Sequence, residues 1–188
     1  MPQLYDLYFV SSNKHKYDET KQILKSFGIS VGFYKYELEE IQSSSLKLIA
    51  AKKAFQAFSK LKKPIIVEDA GLFIDSLGGF PGPYSSYVFK TIGNNGILNL
   101  LNKNRKAKFI SIIHYCDQNC SKHFVAEITG KISQIQQGKG WGYDPIFIPK
   151  NFKQTFAEIL DKNIVSHRYI ALKKFTSWYL HKKKQNDR

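Results

Sequence analysis

The chain has 188 residues, 43% hydrophobic and 14% aromatic, enough apolar material for one sizeable core and too much for a disordered chain. With 29 Lys and Arg against 15 Asp and Glu, the formal charge of +14 favours an anionic partner: nucleic acid, an acidic membrane surface or a polyphosphate small molecule. No run of 18 apolar residues exists, and Met1-Pro2-Gln3-Leu4-Tyr5-Asp6 has no basic head before an apolar stretch; neither a membrane span nor a secretory signal is expected, and the expected compartment is the cytoplasm.

No internal repeat is visible, so a single domain over residues 1–188 is expected. Cys116 and Cys120 are too few for a disulfide framework and have no second pair for a zinc site, so free thiols are expected, with a bridge across a tight hairpin as the alternative. The histidines at 15, 114, 123, 167 and 181 show no ligand-like spacing. The terminal run His181-Lys182-Lys183-Lys184 reads as a solvated helix end.

Leu4 to Val10, apolar and aromatic apart from Asp6, predicts an interior strand. Ser11-Ser12-Asn13-Lys14-His15-Lys16 leads from it into a helix with Tyr17, Thr20, Leu24 and Phe27 on one face and Gly28 at its stop. A loop before a helix N-terminus is a natural anion site, and Lys14 and Lys16 add charge there; an ordinary cap with surface lysines is the competing reading. Ser30 to Leu38 predicts a second strand, followed by the acids Glu37, Glu39 and Glu40. Ser43 to Ser45 cap a helix to about Leu61 whose inner stripe is Leu46, Ala50, Ala54, Ala57, Phe58 and Leu61.

Pro64-Ile65-Ile66-Val67-Glu68-Asp69-Ala70-Gly71-Leu72 reads as a buried strand that delivers two carboxylates to its carboxyl end, where open α/β sheets place their chemistry. Adjacent acids in a crevice raise each other's pKa unless a cation neutralises them, which implies a metal or a set of lysines; a solvated turn is the alternative. Gly78-Gly79-Phe80-Pro81-Gly82-Pro83-Tyr84 predicts a shaped loop, with short helices over Ser85–Ile92 and Asn95–Leu101. Lys108–Tyr115 and His123–Ile135 predict an antiparallel pair around a turn at Asp117, which makes the sheet mixed and the class α/β.

Gly138 to Pro149 is a second unusual loop, in which Trp141, Tyr143 and Asp144 offer aromatic faces and an acceptor to a flat base; an aromatic-plugged turn is the competing reading. Phe152–Leu160 reads as a short helical or irregular piece. Ser166 is the expected cap of a closing helix with Leu172, Phe175 and Tyr179 facing inward.

Five segments in this order resemble the inosine triphosphate pyrophosphatase family: Ser11-Ser12-Asn13-Lys14-His15-Lys16, Glu68-Asp69-Ala70-Gly71-Leu72, Gly78-Gly79-Phe80-Pro81-Gly82-Pro83-Tyr84-Ser85, Gly140-Trp141-Gly142-Tyr143-Asp144-Pro145-Ile146-Phe147 and Ser166-His167-Arg168. The resemblance implies an α/β, α+β-like fold with an elongated mixed central β-sheet flanked by helices, and two lobes with an active-site cleft between them. It also implies hydrolysis of ITP, dITP and XTP to monophosphate and pyrophosphate, and a homodimer. By position it makes Glu40 and Asp69 ligands of Mg²⁺, a cation suited to hard oxygen ligands. Asp69 becomes the general base, with Glu68 close enough to share that work.

Ser11, Ser12, Asn13, Lys14, His15, Lys16, Lys53 and Ala70 would line the phosphates, Lys52 standing beside Lys53. Trp141, Gly142, Tyr143, Asp144, Lys162, His167 and Arg168 would contact the base, and an Arg or His donor aimed at a 6-oxo group would be left facing an amino group if ATP bound. Two positions depart from the family pattern. Ser12 replaces a glycine, so a backbone that tolerates positive φ must be held by serine or shaped differently; Ala70 replaces a serine and leaves only its N–H. The competing readings are a nucleic-acid-binding module, which the charge favours and the clustered acids oppose, and a pyrophosphatase for modified pyrimidine nucleotides. No nucleic acid or membrane partner is expected.

Overall fold

Ten residues from Ile65 to Ile74 run as one strand, and every residue in it except Ala70 and Phe73 is buried. The computed structural model describes residues 5–186, so Leu4, the expected start of the first strand, lies outside the described residues. Among those described, the strands are β1 (Leu7–Ser11), β2 (Val31–Lys35), β3 (Ile65–Ile74), β4 (Pro81–Gly82), β5 (Lys106–Cys116), β6 (Ser121–Ile132) and β7 (Phe147–Pro149). The helices are α1 (Lys14–Ser26), α2 (Leu46–Leu61), α3 (Ser85–Thr91), α4 (Gly93–Asn99) and α5 (His167–Asn186). The strands form a sheet in the order β2-β1-β3-β5-β6-β7, with β4 paired to β3. It is mixed, as expected: β1 runs parallel to β2 and β3, whereas β4 is antiparallel to β3 and β7 to β6.

By contacts the chain divides into two compact units. The first holds the described residues up to Asp69, Ile112–Val125 and those from Arg168 onward; the second holds Ala70–Ser111 and Ala126–His167.

In the first unit Ile65 and Val67 pack with Val10, Ala54 and Ala57, and Ile66 between them is buried as well. Alanines at 50, 54 and 57 put only methyl groups on the buried stripe of α2, and Ser45 caps that helix by accepting from Leu48 N. Asn13 caps α1 in the same way, its side chain accepting from Lys16 N at 3.1 Å. Helix α5 buries Ala171, Leu172, Phe175 and Tyr179, and the Phe175 ring lies 5.6 Å from Phe124 and 5.8 Å from Tyr115. Its basic end is not simply solvated: Lys182 pairs with Asp117 and Lys183 with Asp6. Burial would raise the Asp117 carboxyl, but hydrogen bonds from Lys182 and Tyr115 hold it below its ordinary value. Cys116 and Cys120 are free thiols.

The second unit gathers Leu72, Ile74, Val88, Ile97, Phe109, Tyr143, Phe147 and Phe156 into one core. Strands β4 and β7 were not legible as strands; each is too short to show a period, and each exists by pairing with a longer neighbour. The bulk of β3 past Asp69 also differs from expectation. The acids sit in mid-strand, because Leu72 and Phe73 continue the ladder by pairing with Gly82 and Pro81. That pairing demands glycine at 71: a Cβ there would lie 2.9 Å from the Gly82 carbonyl carbon and closer still to its oxygen. Ser85 then locks the loop, its hydroxyl donating to Gly82 O at 2.6 Å and accepting from Leu72 N at 2.8 Å.

Two outcomes are expected. Gly71→Ala forces the β4 backbone away and should cost roughly 1–3 kcal/mol in urea denaturation, the scale of an overpacked site. His114 is buried with Nε2 2.8 Å from Ser121 Oγ, and burial together with His123 holds its pKa down to about 4, against 6.5 ordinarily. Between those values the unfolded chain takes up a proton that the folded chain refuses, so stability must fall on acidification through that window. His114→Gln, which keeps a partner for Ser121, should flatten the pH dependence of the urea midpoint there.

Candidate active site

Strand β3 carries Glu68 and Asp69 in the interior, 5% and 6% exposed, so each carboxylate needs a positive partner. Lys53, on the buried stripe of α2, meets Asp69: its Nζ is 3.0 Å from Asp69 Oδ2 and also pairs with Glu40. One ammonium therefore bridges the two acids expected to share a cation. Burial pulls the Lys53 pKa down, but Asp69 and Glu40 together raise it above its ordinary value. Burial lifts Asp69 above its ordinary 3.8 in spite of Lys53 and Lys16. Asp69 Oδ2 makes no hydrogen bond, its contact with Lys53 being an ion pair without hydrogen-bond geometry. Lys52, next along the helix, is exposed, so α2 itself separates the two lysines.

Glu68 faces different cations. Arg168 Nε donates to its Oε2 at 2.8 Å, Lys16 Nζ lies 3.8 Å from the same oxygen, and Arg168 Nη1 also donates to Glu19. The two neighbouring acids are thus distinct: Glu68 is held by a guanidinium, whereas Asp69 has an oxygen whose only close partner among the described residues is an ammonium. Arg168, expected among the base contacts, is 2% exposed with its guanidinium between two carboxylates. Burial would lower its pKa, but Glu68 and Glu19 raise it, so the charge is permanent.

The loop ahead of α1 is shaped by its own side chains. Ser11 Oγ accepts from Asn13 N at 3.0 Å and Asn13 caps the helix, which leaves the first turn of N–H groups directed at the loop. Lys14 is drawn aside by Asp18, and His15 is exposed. The concern over Ser12 dissolves: the non-glycine residues with positive φ among those described are Lys62 and Asn151, so Ser12 sits in ordinary backbone.

In the second unit, Lys162 pairs with Asp144 and holds its ammonium 5.4 Å from the centre of the Trp141 ring. Tyr143 turns the other way. It is buried in the core and its hydroxyl donates to Ser85 O at 2.9 Å, with burial raising its pKa. Gly142, at φ +62°, makes the turn between these directions, and Asn94 of α4 steadies it by donating to its carbonyl at 3.0 Å. His167 stacks on Phe109 with ring centres 4.5 Å apart and planes 7° from parallel. Sequence reasoning missed Glu19, Ser85 and Asn94. Glu19 had a usable signal, an acid three residues after Lys16 and hence beside it on α1; the other two act through contacts distant in sequence.

A mixed sheet with two buried acids, each matched by cations from a different helix, defines an α/β protein built around charge in its interior. Residues 7–178 match the Ham1 family profile. A dITP/XTP pyrophosphatase of Methanopyrus kandleri is 50% identical over 177 residues, covering 91% of this chain and 94% of that one. Another dITP/XTP pyrophosphatase, of Thermococcus kodakarensis, is 43% identical over 177 residues, covering 92% and 96%. A solved HAM1 protein of Coxiella burnetii superposes with TM-score 0.78 at 25% identity, covering 93% of this chain and 99% of that one. The chain belongs to the Ham1 family.

Lys53→Met leaves Asp69 buried without its cation and moves its folded-state pKa further up. Ionised Asp69 then opposes folding at neutral pH, and the penalty disappears once acid protonates it. A loss of roughly 3 kcal/mol near neutrality, shrinking as pH falls towards 3.8, should appear in urea midpoints.

Proposed function

We propose that this protein hydrolyses non-standard purine nucleoside triphosphates, ITP, dITP and XTP, to the monophosphate and pyrophosphate. The observation that carries the reading is the Lys53 ammonium shared by Glu40 and Asp69, which brings two hard-oxygen donors onto one cation beside a lysine-bearing helix N-terminus. Relatives named as dITP/XTP pyrophosphatases, matched over 89–92% of this chain, support it.

Asp69 is assigned as the base that takes a proton from the attacking water. Its burial lifts its pKa towards the range in which a general base works best at neutral pH, and Glu68, already held by Arg168, is the less suited of the two. Lys16 and Lys53 stabilise the charge that collects on the departing pyrophosphate, and the α1 N-terminus with Ser11 to Lys16 holds the phosphates. The donor set fits Mg²⁺: Glu40 and Asp69 already share a cation, Asp69 Oδ2 has no hydrogen bond, and a two-acid site suits an ion that keeps several waters. Among the described residues no group of three or more His, Cys, Asp or Glu could hold a metal ion, so any closer coordination would need the phosphates. Bound there, Mg²⁺ would neutralise phosphate charge.

For the base, Trp141 offers a stacking face fixed by Lys162 and Asp144, and Lys162 and His167 offer donors that a 6-oxo group accepts and a 6-amino group does not. Among the described residues no helix is long and apolar enough to cross a membrane, which is compatible with the cytoplasmic location included in this reading. A homodimer is also included, because Phe80, Tyr84, Tyr87, Phe89 and Ile92 expose large apolar side chains within one short stretch.

A panel of nucleotides should release pyrophosphate, with ITP, dITP and XTP ahead of ATP by roughly a hundredfold or more. Orthophosphate as the product, or equal rates on all purines, defeats the assignment; a modified pyrimidine at the head of the panel would move it to that class. Asp69→Asn should lower kcat by about 10²–10⁴. Tyr87→Glu should convert a dimer into a monomer by light scattering.

A further inference from the structure

The tight turn that joins β5 to β6 sets two histidines of the first unit face to face. Asp117 N donates to Cys120 O at 2.9 Å, and counting outward from that pair puts His114 of β5 directly opposite His123 of β6. Theirs is a pair without ladder hydrogen bonds of its own, the kind in which facing side chains lie closest. The ring centres are 6.0 Å apart. His114 is 5% exposed, whereas the His123 ring faces solvent. Nε2 of His114 is 2.8 Å from Ser121 Oγ, but its Nδ1 is buried with no hydrogen-bond partner. A buried ring nitrogen left bare in this way is an orphan that an ion or a water completes.

We propose that His114 and His123 form a cross-strand site for a borderline divalent cation of the Zn²⁺ type, one that uses none of the residues assigned to phosphate, base or Mg²⁺. Two imidazoles suit Zn²⁺, Ni²⁺ and Cu²⁺ and offer little to Mg²⁺, whose preferred ligands are hard oxygens. Water completes the shell. Two imidazoles on one tetrahedral ion hold their ring centres roughly 5 Å apart, so the exposed His123 ring has to approach by about 1 Å, which a turn about its side-chain bonds supplies. Ser121 is the outer partner. With the Nε2 proton donated to its hydroxyl, the Nδ1 lone pair of His114 is left free to bind. Protonation does not compete near neutrality: burial and the neighbouring ring hold His114 down to about 4, and burial with Lys47 lowers His123, so no proton has to be expelled when the ion enters. Two rings that resist carrying two protons can share one ion between them. Lys47, in the first turn of α2, opposes that ion through space. Bound there, the ion would tie β5 to β6 beside their turn and stabilise the folded chain.

The test titrates Zn²⁺ calorimetrically into the full-length chain, without a histidine tag and with Mg²⁺ in excess, and follows the melting temperature beside it. Wild type should take up Zn²⁺ and melt higher with it. His123→Gln, a change at an exposed position, should weaken that binding at least about tenfold, as should His114→Gln. Ser121→Ala should weaken it by about tenfold, whereas Lys47→Gln should tighten it by about two- to threefold. His181→Gln should leave it unchanged. In imidazole ¹⁵N spectra the signals of His114 and His123 should shift together as Zn²⁺ is added. Zn²⁺ binding that is unchanged in His123→Gln, or displaced by Mg²⁺, or absent from wild type, overturns the inference. Shifts confined to other histidines overturn it as well.

Discussion

Two adjacent carboxylates buried in the middle of a strand are the constraint on which the first unit depends. Alternation along a strand points neighbouring side chains to opposite faces, so Glu68 and Asp69 take different main counter-ions, although the Lys16 charge is felt by both. Each has recruited its own: Asp69 takes Lys53 from α2, and Glu68 takes Arg168 from α5 with Lys16 from α1 at its edge. The positions of three helices are tied to the charge balance of one strand, and the lysines that neutralise the acids are those suited to a phosphate chain.

The same alternation gives the two acids different chemistry. A guanidinium held between Glu68 and Glu19 carries a permanent charge and fixed donors, so the Glu68 carboxylate is held in place by it. An ammonium bridging Asp69 and Glu40 is instead a point charge on a flexible stem.

The second unit sorts the aromatic residues of one loop between core and surface. Tyr143 is sunk into the core and bonded to Ser85, Asn94 holds the Gly142 carbonyl, and Lys162 with Asp144 flanks Trp141. The sequence shows both aromatics and cannot say which is sacrificed, since Trp141 and Tyr143 are equally plausible faces until the core around Phe109 and Phe89 is assembled.

Much of the fold was legible in local signals. The apolar runs of β1 and β3, the serine cap of α2 at Ser45, the alanine stripe of α2 and the turn at Asp117 are short-range features, and each stands where expected. The candidate residues were legible too, because the five motifs fix their identity and order. What the sequence by itself determined was which groups are candidates for chemistry: two acids, a lysine loop ahead of a helix and an aromatic loop. What only the tertiary structure decided was how those groups are partnered. The acids turned out to lie in mid-strand because β4, invisible in two residues, extends the ladder past them. Lys53 was separated from Lys52 by helix phase, Glu68 from Asp69 by strand alternation, and Arg168 was joined to Glu19 across 149 positions of chain. Periodicity and capping act over a few residues and can be read from them; the pairing of buried charges is a long-range requirement, met only once the strands and helices that carry them have packed.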